Sequence, residues 1–175
     1  MRIIAGEWGG RGIAAPGGRA VRPTSDRARE AWMSIVQPHI PGARVLDLFA
    51  GTGALGLEAL SRGAAFAEFV ERSPRAARVL RRNIASLGAE GRSAVHVTDA
   101  HKYVARLAGT GVHFDVAFAD PPYRTDDATR VAEAWLAQPF AALLGVEHDS
   151  AVGLPGGGRV RRYGDTGVTF FGLEP

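Results

Sequence analysis

Cysteine is absent from this 175-residue chain, which rules out disulfides and thiolate–zinc sites. The same absence excludes mechanisms that need a cysteine nucleophile, among them the usual route to methylation at C5 of cytosine. No segment has the uninterrupted apolar length that crosses a bilayer. The opening Met1-Arg2-Ile3-Ile4-Ala5-Gly6 holds too short an apolar run for a secretory signal, so a cytoplasmic protein with no membrane partner is expected. Lysine is almost missing, Lys102 being the only one. Abundant alanine and glycine make a GC-rich genome the simpler explanation of the arginine-to-lysine ratio. His39, His96, His101, His113 and His148 show no metal-ligand spacing, and no metal is expected.

What is present fits one domain with a sizeable core. The net charge of +3 permits nucleic-acid binding without requiring it. Placement says more. Arg2, Arg11, Arg19, Arg22, Arg27 and Arg29 crowd the N-terminal segment against only Glu7, Asp26 and Glu30. Residues 2–24 are rich in Gly, Pro and Arg, and their short apolar runs Arg2–Ala5 and Gly12–Ala15 predict a small β-hairpin.

Thr24-Ser25-Asp26 supply capping residues ahead of a helix over Arg27–Val36. From there strands alternate with helices. Strands are expected at Val45–Phe49, Phe66–Val70, Ala94–Thr98, Phe114–Ala119 and Leu143–Glu147. Helices are expected at Ala54–Arg62, from Ser73-Pro74 to Leu87 with Gly88 as the stop, from Asp99 to Leu107, and at Ala128–Ala137. Arg159–Tyr163 and Val168–Leu173 read as a closing antiparallel hairpin around a Gly-Asp-Thr-Gly turn. Such alternation means right-handed crossovers and a mostly parallel sheet covered on both faces. Ligands then bind beyond the carboxyl ends of the strands. Asp47, Glu71, Asp99 and Asp120 should therefore converge on one edge.

Gly51-Thr52-Gly53-Ala54-Leu55-Gly56 matches the dinucleotide fingerprint, and Glu71 lies at a suitable distance beyond it. An NAD site is the first alternative. Asp47 inside the strand and Asp99 after a later one argue against it, because both would repel a pyrophosphate. Carboxylates at this edge suit a ligand with cationic groups and a ribose diol, such as S-adenosyl-L-methionine. The glycines would let the backbone approach its methionine part, Glu71 would take the ribose hydroxyls, and Asp99 with Ala100 would meet the adenine. The plain alternative makes Glu71 and Asp99 helix caps.

Asp120-Pro121-Pro122-Tyr123 follows the fourth strand. An aryl amine is a poor nucleophile because its lone pair is delocalised into the ring. A catalyst must hold its N–H groups with fixed acceptors, and a carboxylate beside a proline-locked carbonyl provides them. Tyr123 can stack on the base. The same turn would serve guanine N2 or adenine N6, and a non-catalytic RNA-binding module is a further alternative.

The run from Asp47-Leu48-Phe49-Ala50-Gly51-Thr52-Gly53 through Glu58-Ala59-Leu60-Ser61-Arg62-Gly63-Ala64, together with Asp120-Pro121-Pro122-Tyr123, resembles the RsmD family of methyltransferases that act on guanine N2 in 16S ribosomal RNA. Arg22-Pro23-Thr24-Ser25-Asp26-Arg27-Ala28-Arg29-Glu30 and Arg2-Ile3-Ile4-Ala5-Gly6 resemble the same family. The resemblance implies an α/β, Rossmann-like class I S-adenosylmethionine-dependent methyltransferase with a mostly parallel seven-stranded sheet. It divides the chain into a β-hairpin extension that contacts RNA over residues 1–24 and a methyltransferase domain over 25–175. Asp120, Pro121, Pro122 and Tyr123 are the expected catalytic residues. The cofactor set is Asp47, Phe49, Gly51, Gly53, Glu71, Arg72, Asp99, Ala100 and Asp120, and the RNA contacts are Arg2, Arg11, Arg22 and Arg27. The implied partner is 16S ribosomal RNA in the small subunit or its assembly intermediate; a monomer is expected because no long exposed apolar stripe stands out in the sequence. Two stretches depart from the family: Trp8-Gly9-Gly10-Arg11-Gly12 is less basic than its usual Arg-Gly-Arg, and residues 139–175 match loosely.

Overall fold

The computed structural model describes residues 1–15 and 23–173. Arg19 and Arg22 lie outside them. Among the described residues, seven strands and five α-helices run in the order α1 (Pro23–Val36), β1 (Arg44–Leu48), α2 (Ala54–Ser61), β2 (Phe66–Val70), α3 (Pro74–Leu87), β3 (Ser93–His96), α4 (Ala100–Leu107), β4 (Phe114–Ala119), α5 (Asp127–Ala137), β5 (Ala141–Asp149), β6 (Arg159–Tyr163) and β7 (Thr166–Phe171). No helix among the described residues is long and apolar enough to cross a membrane.

The strands form one sheet in the order β3-β2-β1-β4-β5-β7-β6. The first five are parallel, and β7 runs antiparallel to both β5 and β6. In β1 everything after Arg44 is buried, as a central parallel strand covered on both faces requires. Trp32, Phe118, Phe69, Leu57 and Leu80 fill one face beneath α1, α2 and α3. Tyr103, Phe114, Val131 and Leu144 fill the other beneath α4 and α5.

Local chemistry sets the helix ends. Ser73 Oγ accepts the Ala76 N–H at 3.3 Å and Pro74 opens α3, while Gly88 closes it at φ +67°. Asp99 caps α4 by accepting the Lys102 N–H at 3.0 Å. Arg75, Arg78, Arg81 and Arg82 stay on the exposed side of α3.

Several boundaries differ from the sequence reading, including the end of β3, which stops at His96 rather than Thr98. Helix α1 begins at Pro23, ahead of the capping residues chosen for it. Strand β5 runs on to Asp149 because β7 pairs with it up to Thr166. The closing hairpin is tighter than a four-residue turn, since Tyr163 pairs with Thr166 and only Gly164 and Asp165 remain between them.

The N-terminal segment turns back on itself at an antiparallel bridge between Arg2 and Gly12, flanked by hydrogen bonds from the Ile13 N–H to the Met1 carbonyl and from the Ile3 N–H to the Arg11 carbonyl, both at 2.9 Å. Its Ile3, Trp8 and Ile13 join the core shared by α2 and α3. Trp8 therefore packs inside, with the Arg92 guanidinium 4.9 Å from its ring centroid. The buried Glu58 carboxylate fastens the segment by accepting the Ile4 and Ala5 N–H groups at 2.8 and 3.0 Å, and it pairs with Arg62 Nε at 2.8 Å. Ser61 adds the Trp8 N–H at 2.9 Å and the Ala5 carbonyl at 2.6 Å.

Candidate active site

Register brings the strand ends together. Leu48 stands level with Val70 on one side and Ala119 on the other, and Ala119 with Val146. The next residues along, Phe49, Glu71, Asp120 and Glu147, thus emerge side by side where β1 and β4 part company. That is the topological switch point at which open α/β sheets bind ligands. A cavity of about 630 Å³ opens there, lined by Phe49, Val70, Glu71, Arg72, Thr98, Asp99, Ala100 and the turn from Asp120 to Tyr123. A more apolar cavity between α4 and α5 holds Leu107, Val112, Ala134 and Phe140 and none of these carboxylates.

Three expected ligand residues, Asp47, Gly51 and Gly53, do not line the cavity. Asp47 is 1% exposed, and its Oδ2 accepts the Gly56 N–H at 2.9 Å. It clamps the first turn of α2 and stands behind the wall. Burial pushes its carboxyl up to about 7, against the Gly56 hydrogen bond and with a contribution from Glu71. Gly53 turns inward at φ +85°, where a Cβ would lie 2.3 Å from Leu80 Cδ1. Gly56 is packed too, since a Cβ there would sit 2.4 Å from the Phe69 ring. The spacing that resembles a dinucleotide fingerprint is thus largely a packing requirement between α2, β2 and α3. Gly51 faces open space and donates its N–H to Glu71 Oε2 at 2.8 Å.

Glu71 also accepts the Ser73 N–H through Oε1 at 2.7 Å, so it ties the glycine turn to the start of α3. A carboxylate has about four acceptor sites, and each Glu71 oxygen keeps one for a ligand. Asp99 is both a helix cap and a cavity residue; capping uses one oxygen. Phe49 adopts φ +59°, a strained conformation for an aromatic residue that is typical of functional turns. Its ring packs edge-on against His101 at 5.9 Å.

Asp120 is exposed and lines the cavity. Its carboxyl is pushed well above the usual carboxylate range, first by desolvation and then by the charges of Glu147 and Asp47. The Pro122 carbonyl lies 2.9 Å from the Thr125 hydroxyl, which is also 2.9 Å from the Asp127 carboxylate. Asp127 in turn meets His101 Nε2 at 2.7 Å, so the segment after the turn is anchored to α4. Tyr123 is 40% exposed, and its hydroxyl donates to Glu147 Oε1 at 2.8 Å and lies 3.0 Å from Thr166 Oγ1.

Sequence reading does not single out Glu147, because it ends an ordinary apolar strand and belongs to no motif. The alignment of that strand end with Asp120 is the signal that could find it. Of the expected RNA contacts, Arg2, Arg11 and Arg27 are exposed, and Arg11 donates one N–H to the Ser86 carbonyl.

The family model described as Conserved hypothetical protein 95 matches residues 1–171. Ribosomal RNA small subunit methyltransferase D of Escherichia coli K12 is 40% identical over 160 residues, which cover 89% of this chain and 78% of that one. A hypothetical protein of Thermus thermophilus superposes with a TM-score of 0.86 at 30% identity over 99% of both chains. A SAM-dependent methyltransferase from Agrobacterium tumefaciens, at 22% identity and a TM-score of 0.61 over 74% of this chain and 46% of its own, shares the fold. The chain thus has the Rossmann-like fold of S-adenosylmethionine-dependent methyltransferases, and by matches over nearly its whole length it belongs to the ribosomal RNA small subunit methyltransferase D family, the RsmD family.

Proposed function

We propose that this protein transfers a methyl group from S-adenosyl-L-methionine to the exocyclic N2 of a guanine in 16S ribosomal RNA, within the small ribosomal subunit or its assembly intermediate. The observation that carries the reading is the shared cavity of Glu71, Asp99 and Asp120 in a chain of this family. Its size and its uncompensated carboxylates fit a phosphate-free, cationic ligand. S-adenosylmethionine supplies, when bound, an electrophilic methyl on a positively charged sulfur.

The chain's own residues do the rest. Glu71 holds the ribose diol with its remaining lone pairs, Asp99 and the Ala100 backbone meet the adenine, and Phe49 and Arg72 close the cavity around them. Asp47, Gly51 and Gly53 act from behind, by fixing the backbone of the turn. Asp120 and the Pro121 carbonyl hold the two N–H groups of the target amine, so that the nitrogen can pyramidalise toward the methyl. Asp120 in its ionised form can also take the proton that the amine loses. Tyr123 offers a ring face to the base, worth ~1–3 kcal/mol in single-stranded recognition. The base must be unpaired or leave its helix to reach this edge.

The segment before α1 serves in this reading as the RNA-contact extension. Exposed Arg2 and Arg11 meet phosphates there together with Arg22, and exposed Arg27 of α1 joins them. The enzyme acts as a monomer in the cytoplasm, where its substrate assembles.

The test incubates the protein with methyl-labelled S-adenosylmethionine and small subunits from cells lacking their own guanine-N2 activity, then identifies the labelled nucleoside by mass. N2-methylguanosine at one site is the expected product. Label in adenine would keep the acceptor chemistry and replace the substrate; no label with cofactor bound would overturn the enzyme reading.

A further inference from the structure

The ladder that delivers Asp120 to the cavity delivers a second carboxylate beside it. Ala119 and Val146 are register partners on parallel strands β4 and β5, so Asp120 and Glu147 occupy the next level, about 4.8 Å apart across the ladder. Glu147 is half-buried. The Tyr123 hydroxyl, itself 3.0 Å from Thr166 Oγ1, donates to Glu147 Oε1 at 2.8 Å. A tyrosine that bonds through its hydroxyl while its ring lines the cavity fixes where the carboxylate points. Glu147 itself does not line that cavity. Asp120 therefore stands between the space suited to the cofactor on one side and Glu147 on the other.

Among the described residues Glu147 Oε2 accepts no hydrogen bond, and no cation pairs with this carboxylate. Burial accordingly raises its carboxyl from the ordinary value, with the Tyr123 hydroxyl pulling the other way. Oε2 is not a buried atom left without a partner, so it is open to solvent and free to accept a donor from a ligand. The methylated edge of guanine carries two adjacent kinds of donor, N1–H and the N2 amine. Adenine offers its N6 amine beside a bare N1 lone pair, which would face Glu147 as acceptor against acceptor.

We infer that Glu147, positioned by Tyr123, is the residue that selects guanine over adenine by accepting its N1–H while Asp120 accepts the N2 amine. The inference rests on the guanine-N2 reading proposed above and deepens it.

2-Aminopurine keeps the 2-amine, replaces N1–H by a bare nitrogen and lacks O6; the loss of O6 is common to wild type and variants, so their comparison isolates the N1 contact. Once the methylated position is mapped, small subunits are reconstituted with guanine or 2-aminopurine at that position. Wild type, Glu147→Gln and Tyr123→Phe are compared by their rate ratios on the two substrates. Glutamine keeps an acceptor for the Tyr123 hydroxyl and gains an N–H that can donate to the bare N1. The preference of the wild type for guanine should shrink about 10- to 100-fold in Glu147→Gln, and by a smaller factor in Tyr123→Phe, whose carboxylate is untethered. S-adenosylhomocysteine binding should hold within about twofold in both, as a check on folding that does not depend on turnover. An unchanged ratio in Glu147→Gln, with guanine N2 still methylated, overturns the role of Glu147 alone. A wild type that leaves guanine unlabelled overturns the reading beneath it.

Discussion

Replacing Asp47 by asparagine should flatten the pH dependence of this protein's stability. Asp47 is 1% exposed, and burial pushes its carboxyl up to about 7 from an ordinary 3.8. Between those values the folded chain holds a proton that the unfolded chain has released. Its contribution to stability is therefore fully present below about pH 4 and lost as pH rises through about 7. At about 1.4 kcal/mol per pKa unit the whole effect is on the order of 4 kcal/mol. Roughly 2–3 kcal/mol of it falls between about pH 5 and about pH 8. Asparagine keeps an oxygen for the Gly56 N–H and removes the titration. Urea unfolding of both proteins at the two pH values reads the difference, checked by the slope of free energy against denaturant, which should not change. Between the two conditions the wild type should lose roughly 2–3 kcal/mol more than Asp47→Asn, or about 5–10 °C more in melting temperature. Some slope will remain in the variant, because the carboxyls of Asp120 and Glu147 are raised in the same direction. Equal losses in the two proteins would refute the assignment of this titration to Asp47, and with it the picture of a buried clamp held against the penalty on its charge.

Asp120→Ala should lower kcat by about 10²- to 10⁴-fold while S-adenosylhomocysteine still binds by calorimetry; full activity would remove Asp120 from the chemistry. Because the Asp120 carboxyl is raised in the free protein and must be ionised to accept the amine N–H, kcat/KM should climb as pH rises through its elevated value. A flat profile over that range would show that the group titrates elsewhere. Gly56→Ala places a Cβ 2.4 Å from Phe69 Cε1, so overpacking should cost about 1–3 kcal/mol in chemical denaturation; a neutral result would mean the ring moves freely. Glu58→Ala strands the Ile4 and Ala5 N–H groups and the Arg62 side chain. It should cost about 3–5 kcal/mol and expose the first residues to limited proteolysis, and wild-type resistance would argue against Glu58 as the fastener.

The alternation of strands and helices was legible because each signal is local. The apolar run of β1, the Ser73-Pro74 start and the Gly88 stop are short-range chemistry, and each appears within a residue or so of its expected place. The convergence of Glu71, Asp99 and Asp120 was legible for a related reason: parallel strands joined by crossovers all end at one edge. Glycine roles were not legible. The same Gly-x-Gly-x-x-Gly spacing serves ligand approach or packing, and only the positions of Leu80 and Phe69 decide between them. Asp47 reads as a ligand residue because the strand ends at the cavity, yet alternation along β1 turns its side chain onto α2. The attachment of the N-terminal segment was hidden as well. Glu58 and Ser61 sit in a helix whose sequence gives no sign that both face a partner more than fifty residues away.

The charge at the candidate site follows from what neutralises it and what does not. The chain is net positive, yet among the described residues none of the ion pairs involves Asp47, Glu71, Asp99, Asp120 or Glu147. Asp47 and Glu71 are satisfied by backbone N–H groups at the starts of α2 and α3, and Asp99 by the start of α4. Helix N-termini carry only about half a positive charge each and act over about one turn. They stabilise these carboxylates locally without cancelling their field in the cavity. A pyrophosphate would meet that field as repulsion, whereas a sulfonium, an ammonium group and the N–H donors of a base meet it as attraction. Arginine side chains at these positions would have held the loops equally well and removed the field. Backbone donors leave it in place, which is why a fold shared with dinucleotide enzymes can here favour a cationic methyl donor over a phosphate.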